Sequence, residues 1–343
     1  MTDNDHIQLA HGGGGQLMAE LIEQVILPSL GPAAVAQATA ALTDAAAIDL
    51  AGGRWAFTTD SYVVQPLEFP GGDIGKLAIC GTVNDLAVSG AAPRALTLAL
   101  VIEEGTEIAL LRRVLESAGR TAAAAGVAIV TGDTKVVERG GLNGMVLNTA
   151  GIGAVLPRAY LGFDRVQEGD AILISGPLGE HGLAVMSRRK NLSLATTLSS
   201  DCAPLHELTA ALIDVLGPDV HFMRDPTRGG LAATLAEVSA AAHRDILIQE
   251  AAIPVNRTAR AAAEMLGLDL LNAANEGKLL AVVSHSAAAE AAAILRRFAI
   301  ASQAAVIGEV GSAAPNALVE MATLIGGRRV VQMPYGEELP RIC

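Results

Sequence analysis

Residues 73–89 (DIGKLAICGTVNDLAVS) read as a helix that is apolar almost all round, with Asp85 lying between Val83 and Leu86. A helix without a polar face is buried. A carboxylate inside it is expensive unless it is paired or bound to metal. The fold must therefore cover this helix and still find a partner for Asp85. Four more aspartates mark strand ends and turns: Asp60 in FTTDS, Asp73 in GGDIG, Asp133 in TGDTK and Asp225 in RDPTRGG. Each alone reads more readily as a cap or turn residue. Together they read as hard oxygen ligands for Mg²⁺, which usually arrives with a polyphosphate.

At roughly 150 residues per domain, 343 residues make about two domains. The chain is 51% hydrophobic and 17% charged, enough apolar material for a sizeable core. A net charge of −12 argues against a nucleic-acid binder, which needs a basic surface. Five Phe, three Tyr and one Trp leave little for base stacking. Cys80, Cys202 and Cys343 cannot pair evenly, and neither CxxC nor HExxH occurs, so a disulfide framework or a zinc ribbon is not expected. The N-terminus shows no signal peptide. The longest apolar runs, at 95–102 and 122–130, are about half a membrane span. The expectation is a cytoplasmic protein with reduced thiols and no membrane contact.

Periodicity predicts a helix over 16–27 with Leu17, Leu21, Ile22 and Val25 on one face, ended by Pro28. His11 and four glycines precede it, a run that holds no single conformation without a ligand or partner. Strands are expected at 55–64, 95–102, 127–131 and 144–154, and a helix at 107–125. A punctuated stretch with Pro157, Gly162 and Gly169 separates the halves. The second half reads as strands at 171–176, 246–249, 279–284 and 304–310. Helices are expected near 180–190, 205–216, 228–242, 256–266 and 286–299. This is a mixed α/β, or α+β, chain in two domains. The expected divisions are a glycine-rich segment and helix (1–43), a first domain (44–156), a second domain (167–325) and a tail (326–343) without regular pattern.

No GxxxxGK[ST] motif and no strand-borne GxGxxG is present, so a nucleotide would not be held by the P-loop or Rossmann route. An acidic protein holding an anion needs cations and backbone amides. Lys135 and Arg228 are candidate cations, and Gly229-Gly230 would let the backbone approach a phosphate. Cys343, the last residue of a Pro- and Gly-bearing tail, is an unusual place for a residue that normally sits in cores. Twelve extended residues from Val331 reach up to roughly 40 Å. Cys80 and Cys202 read as core filler and loop residue. Glu276, in NEGK before a strand, is equally a general base or a turn residue.

The segments LAHGGGGQLMAELI, FTTDSYVVQPLEFPGGDIGKLAICGTVNDLAVSGA, VTGDTKVVERG, LISGPLGEHGLAVMSRR, FMRDPTRGGLAATLAE, ANEGK and PYGEELPRIC together resemble the HypE family of hydrogenase maturation proteins. That family belongs to the superfamily of aminoimidazole ribonucleotide synthetase and selenophosphate synthetase. The resemblance runs from about residue 6 to the end, and the terminal PRIC is its most specific part.

The resemblance implies a two-domain PurM-like fold whose first domains pair through their sheets in a homodimer. It implies ATP in the cleft between domains, held by Asp44, Thr82, Asn84, Gly132, Asp133, Thr134, Arg228 and Gly229. Asp60, Asp73, Asp85 and Asp225 would hold Mg²⁺. A carbamoyl group placed on Cys343 by the carbamoyltransferase HypF would be dehydrated to a thiocyanate. The cyano group would pass to iron on the HypC–HypD complex, for the [NiFe]-hydrogenase active site. Cys343 would be the group acceptor, Lys135 would steady the γ-phosphate or carboxamide oxygen, and Glu276 would take protons from nitrogen. The tail would alternate between inward and outward states, with Ile342 as anchor, Pro340 limiting its freedom, and Gly336 and Gly326-Gly327 as hinges. Two other readings stay open. One is a superfamily enzyme phosphorylating a small substrate such as selenide, thiamine phosphate or a formamidine. The other is a nucleotide-binding scaffold without turnover.

Overall fold

A computed structural model describes residues 6–30, 43–190, 198–336 and 342–343. Expectations placed on Pro340, Arg341, residues 1–5 and residues 31–42 lie outside the described residues.

The first sheet contains β1 (Ala46–Leu50), β2 (Gly53–Tyr62), β5 (Ala91–Glu103), β6 (Ala128–Val137) and β7 (Met145–Val155), in the order β1-β2-β7-β5-β6. A short ribbon, β3 (Glu68–Phe69) with β4 (Gly72–Asp73), leads into the predicted helix, α2 (Ile74–Val88). Within this sheet the parallel pair is β5 with β6. A parallel pair needs a crossover, supplied by α3 (Ile108–Ala124). Helix α2 lies buried along nearly its whole length against β2, β5 and β7. Its close approach to β2 needs Gly81, where a Cβ would collide with the Tyr62 hydroxyl. The register sets Thr58, Asp60 and Tyr62 of β2 in rows with Gly151, Thr149 and Leu147 of β7. Because strand side chains alternate, this is the face toward α2, where Thr58 meets Asp85. The opposite face is open. Phe57 and Ile152, neighbours across β2 and β7, are exposed on it.

The second sheet has seven strands: β8 (Ala171–Ile174), β9 (Val220–Arg224), β10 (Arg244–Gln249), β11 (Leu280–Val283), β12 (Ala305–Ala313), β13 (Val319–Ala322) and β14 (Arg328–Val331). Their order is β14-β13-β10-β12-β8-β11-β9. Leu173, Met223, Ala281 and Val283 join one core with α5 (His206–Leu216) and α8 (Ala288–Leu295). Ile172, Ile174, Phe222, Leu280 and Val282 join another with α6 (Gly230–Ala242). A further cluster holds α4 (Glu180–Arg189) against α7 (Arg257–Leu266).

Several local expectations are corrected. Pro28 does not end the first helix. α1 (Gln16–Leu21) passes through a π turn, Ile22–Ile26, into Leu27–Leu30. The wider turn changes the ladder around Gln24, four residues before Pro28, where a regular α-helix would clash with the ring. Strand β6 runs on to Val137 instead of stopping at 131, so GDTK lies within the strand. The irregular tail begins only after β14, because Arg328–Val331 pairs with β13 as the sheet edge.

Candidate active site

Asp44, Asp85 and Asp225 converge from three distant stretches of chain. One oxygen from each lies within 4.8 Å of the others. Asp44 precedes β1, Asp85 rides on α2, and Asp225 follows β9, so the trio stands on the seam between the two halves. Thr58 Oγ1 lies 2.9 Å from Asp85 Oδ2 and 2.8 Å from the Asp44 carbonyl. Asp60 adjoins the trio, and its Oδ2 accepts a hydrogen bond from Tyr62 Oη at 3.2 Å. Arg224 is 3.1 Å from Asp44 and also pairs with Glu237.

These carboxyls hold their protons more strongly than usual. Burial, followed by the charge of Asp44, raises Asp225 to about 8. Burial, then Asp60, Asp225 and Asp44, pushes Asp85 well up. Burial also raises Asp44 and Asp60, opposed by Arg224 and Arg228 respectively. Asp225 Oδ2 is buried without a hydrogen-bond partner. Three oxygen donors this close, one of them orphaned, fit a hard divalent cation.

Glu276 stands on the entrance to β11. Its backbone N–H donates to Asp201 Oδ1 at 3.2 Å, and its carbonyl accepts from Asn84 Nδ2 at 3.2 Å. The side chain is buried and Oε1 has no hydrogen-bond partner. Burial raises its proton affinity well above that of an ordinary glutamate, reinforced by Asp225, Asp201 and Asp60 and opposed by Arg228.

The chain terminus lies inside this site. Ile342 is 2% exposed and packs in one cluster with Tyr62, Cys80 and Cys202, with Cys343 beside it. Val63 N–H donates to the Cys343 carbonyl at 3.3 Å. His181 Nε2 lies 2.8 Å from the Ile342 carbonyl. The negative charge of Cys343 acts on Arg228, as do Asp60 and Glu276, and together they raise its already high proton affinity.

The N-terminal glycine run closes over the same place. Arg228 Nη1 donates to the Gly12 carbonyl at 3.0 Å. Gly14, at φ +72°, passes so near Arg228 that a Cβ would collide with it. Gln16 and Leu17 N–H groups donate to the carbonyls of Pro334 and Tyr335 at 3.0 and 3.2 Å. The run is ordered by the site loop and the tail.

Not every sequence-read residue joins the cluster. Asp73 caps α2, accepting from Gly75 and Lys76 N–H at 2.8 and 3.0 Å. Twelve residues separate it from Asp85, roughly 18 Å along the helix. Asn84 is consumed by the seam, donating to Ala203 and Glu276 carbonyls and accepting from Leu205 N–H. Thr82 is fully buried among the hydroxyls of Thr149 and Tyr62. Lys135 pairs with Asp133 at 2.8 Å on exposed β6. The rows Asp133–Ala99–Asn148–Ser61 and Gly132–Leu98–Thr149–Asp60 set Asp133 and Lys135 on the open face. Gly132 and Thr134 belong to the rows facing α2. Gly229, at φ +76°, precedes α6 and touches the glycine run. Thr58, Tyr62, His181 and Arg224 escaped the sequence reading. Thr58 and Tyr62 had a signal, since both stand two residues from Asp60 on one strand face.

The family model of the AIR synthase related protein N-terminal domain matches residues 42–155, and that of its C-terminal domain matches residues 167–319. Carbamoyl dehydratase HypE of Bradyrhizobium diazoefficiens is 46% identical over 340 residues, covering 99% of this chain and 97% of that protein. A crystal structure of a HypE–HypF complex matches with a TM-score of 0.84 at 42% identity, over 92% of this chain and 99% of the other. A HypE structure in complex with ATP matches with a TM-score of 0.82 at 43% identity, over 97% and 98%.

Proposed function

The chain belongs to the HypE family of carbamoyl dehydratases, and from that premise we propose that it uses ATP to dehydrate a carbamoyl group carried on its own Cys343, yielding a thiocyanate for hydrogenase maturation. The observation that carries this reading is the inserted terminus. Ile342 is buried, and the charge of Cys343 acts on Arg228, as do those of Asp60 and Glu276. A free-standing small substrate would have no use for such an insertion.

An amide oxygen is a poor leaving group. Attack of the carbamoyl oxygen on the γ-phosphorus of ATP releases ADP and makes that oxygen part of a phosphate ester. One nitrogen proton is lost as the C–N double bond forms. Removal of the second proton with cleavage of the C–O bond releases phosphate and leaves S–C≡N. Glu276 would be the base for nitrogen protons, a reading supported by the way burial raises its proton affinity. Arg228, on which the charge of Cys343 acts, offers a positive charge for the reaction. Asp44, Asp85 and Asp225, with Asp60 beside them, would hold Mg²⁺, which supplies charge neutralisation for the transferring phosphoryl group.

Phe57 and Ile152 on the open sheet face support a homodimer in which a second copy covers that face. Asp133 and Lys135 lie on it, so their contribution is assigned to the dimer. HypF would load Cys343, as the HypE–HypF assembly suggests, and HypC–HypD would take the cyano group. Cytoplasmic residence is supported by three unbridged thiols. Among the described residues no helix is long and apolar enough to cross a membrane. The test is mass spectrometry of the C-terminal peptide from carbamoylated protein. Loss of one water only when ATP is present supports the reading. ATP turnover without that loss rejects it.

A further inference from the structure

His181 is the second residue of α4 and is fully buried. Its ring is held on three sides. Phe69 meets it edge-on, with centroids 5.3 Å apart and planes at 90°. Nδ1 is 2.8 Å from Ser200 Oγ, and Nε2 is 2.8 Å from the Ile342 carbonyl. Ser200 is fixed in turn, its N–H donating to the Pro70 carbonyl at 2.8 Å and its Oγ accepting from Cys202 N–H at 3.1 Å.

The donor count sets the tautomer. A carbonyl only accepts, so Nε2 carries the proton toward Ile342. In the neutral ring Nδ1 then accepts, and the Ser200 hydroxyl supplies that proton while taking one from Cys202 N–H. Burial disfavours the charged ring and keeps it neutral. The chain Cys202 N–H to Ser200 O–H to His181 to Ile342 carbonyl therefore runs in one direction and ends on the tail.

This bond exists only while the tail is inserted. With the Val63 N–H on the Cys343 carbonyl, it grips the last two residues from both halves of the molecule. The apolar burial of Ile342 alone fixes depth. The two directional bonds fix the backbone orientation from which the Cys343 side chain departs, and the charge of Cys343 acts on Arg228.

We propose that His181 is a positioning residue for the reaction, a neutral imidazole latch that holds the inserted tail through the Ile342 carbonyl and sets the register of the carbamoyl-bearing side chain. The proposal rests on the dehydratase reading for its rate consequence, but not for its docking consequence.

The test uses the full chain with His181→Leu, His181→Gln and Ser200→Ala. Two quantities are read: single-turnover water loss from the carbamoylated C-terminal peptide, and the rate of iodoacetamide labelling of Cys343 in uncarbamoylated protein, by peptide mass. A glutamine can present an N–H near the Nε2 position, whereas leucine cannot. His181→Leu is expected to raise Cys343 labelling about tenfold, the loss of one hydrogen bond, and to slow water loss by at least as much. ATP affinity should stay within about twofold of wild type. His181→Gln should recover most of both effects, and Ser200→Ala should fall between. Wild-type labelling in His181→Leu overturns the latch. So does equal impairment of the leucine and glutamine variants. If His181→Leu does not fold, wild-type labelling in both other variants overturns it as well. Altered labelling with no water loss even in wild type would leave the latch standing and reject the dehydratase reading.

Discussion

The two sheets treat their faces differently. The second is covered on both, by α5 and α8 on one side and α6 on the other. The first is covered by α2 and α3 on one face, and its other face carries exposed Phe57 and Ile152. A half-covered sheet of this kind is stable only because α2 is so thoroughly buried, and its open side is where a second copy would sit. The site lies at the seam, where three carboxylates from distant segments come within 4.8 Å of one another. The second half thus buries both faces of its sheet, and the first leaves one face for the proposed second copy.

The sharpest break of that comparison falls on the seam. Asp85→Asn should lower ATP-dependent water loss from the carbamoylated C-terminal peptide by roughly 10³-fold, because the proposed cation that would neutralise the phosphoryl group would lose a charged ligand. Folding should survive, since the change removes a buried carboxylate among like charges. Circular dichroism together with the peptide assay checks both halves of the expectation. An active Asp85→Asn protein would move the chemistry away from the seam.

The two sheets can then be compared by matched truncation. Ile172→Ala, in the doubly covered sheet, should cost about 3 kcal/mol in urea unfolding. Phe57→Ala on the open face should cost well under about 1 kcal/mol in the monomer. The order reverses for self-association. Phe57→Glu with Ile152→Glu should weaken the dimer by roughly 100-fold or more, read by sedimentation equilibrium. Equal unfolding costs for the two alanine variants would erase the distinction between the sheets.

The seam also predicts a pH dependence. Asp225 titrates near 3.8 when unfolded and at about 8 when folded. Between those values the folded state holds the extra proton, so stability falls as pH rises through the interval and levels off above it. In EDTA, urea midpoints should decline from pH 5 to pH 8.5. Asp225→Asn should flatten the decline, and added Mg²⁺ should offset it at the alkaline end. A midpoint that rises with pH in EDTA would contradict the buried, cation-free trio.

Much of this was legible from residues. Asp85 stood out because a charge in an all-apolar helix must have a purpose, and α2 carries it close to the predicted span. Asp44 and Asp225 are 181 positions apart, so no local pattern could announce their meeting. Strand β14 was hidden because RRVV between glycines has an exposed, charged edge and no alternation to read. His181 was invisible for a different reason. Its decisive partner is the carbonyl of the penultimate residue, a backbone atom with no sequence signature. GDTK falls outside the expected strand because glycine and aspartate disfavour strands, yet pairing with β5 holds it extended.

Asp73 is the instructive confusion, and it yields the smallest prediction. A carboxylate that caps a helix and one that binds a cation look alike in sequence: Asp73 precedes Ile74 as Asp85 precedes Leu86, and residue type alone does not say what the oxygens accept. Here the two hydrogen bonds to Gly75 and Lys76 account for Asp73 fully. Asp73→Ala should cost about 1 kcal/mol of stability, the usual worth of an N-cap, and Asp73→Asn only a few tenths, because asparagine caps nearly as well. Neither change should alter ATP-dependent water loss beyond about twofold at saturating Mg²⁺. Asp85 lies twelve positions along the helix from the capped end, roughly 18 Å away, so loss of the cap should not reach the seam. An Asp73→Asn protein with normal unfolding and a Mg²⁺ requirement raised tenfold would put this residue back among the ligands.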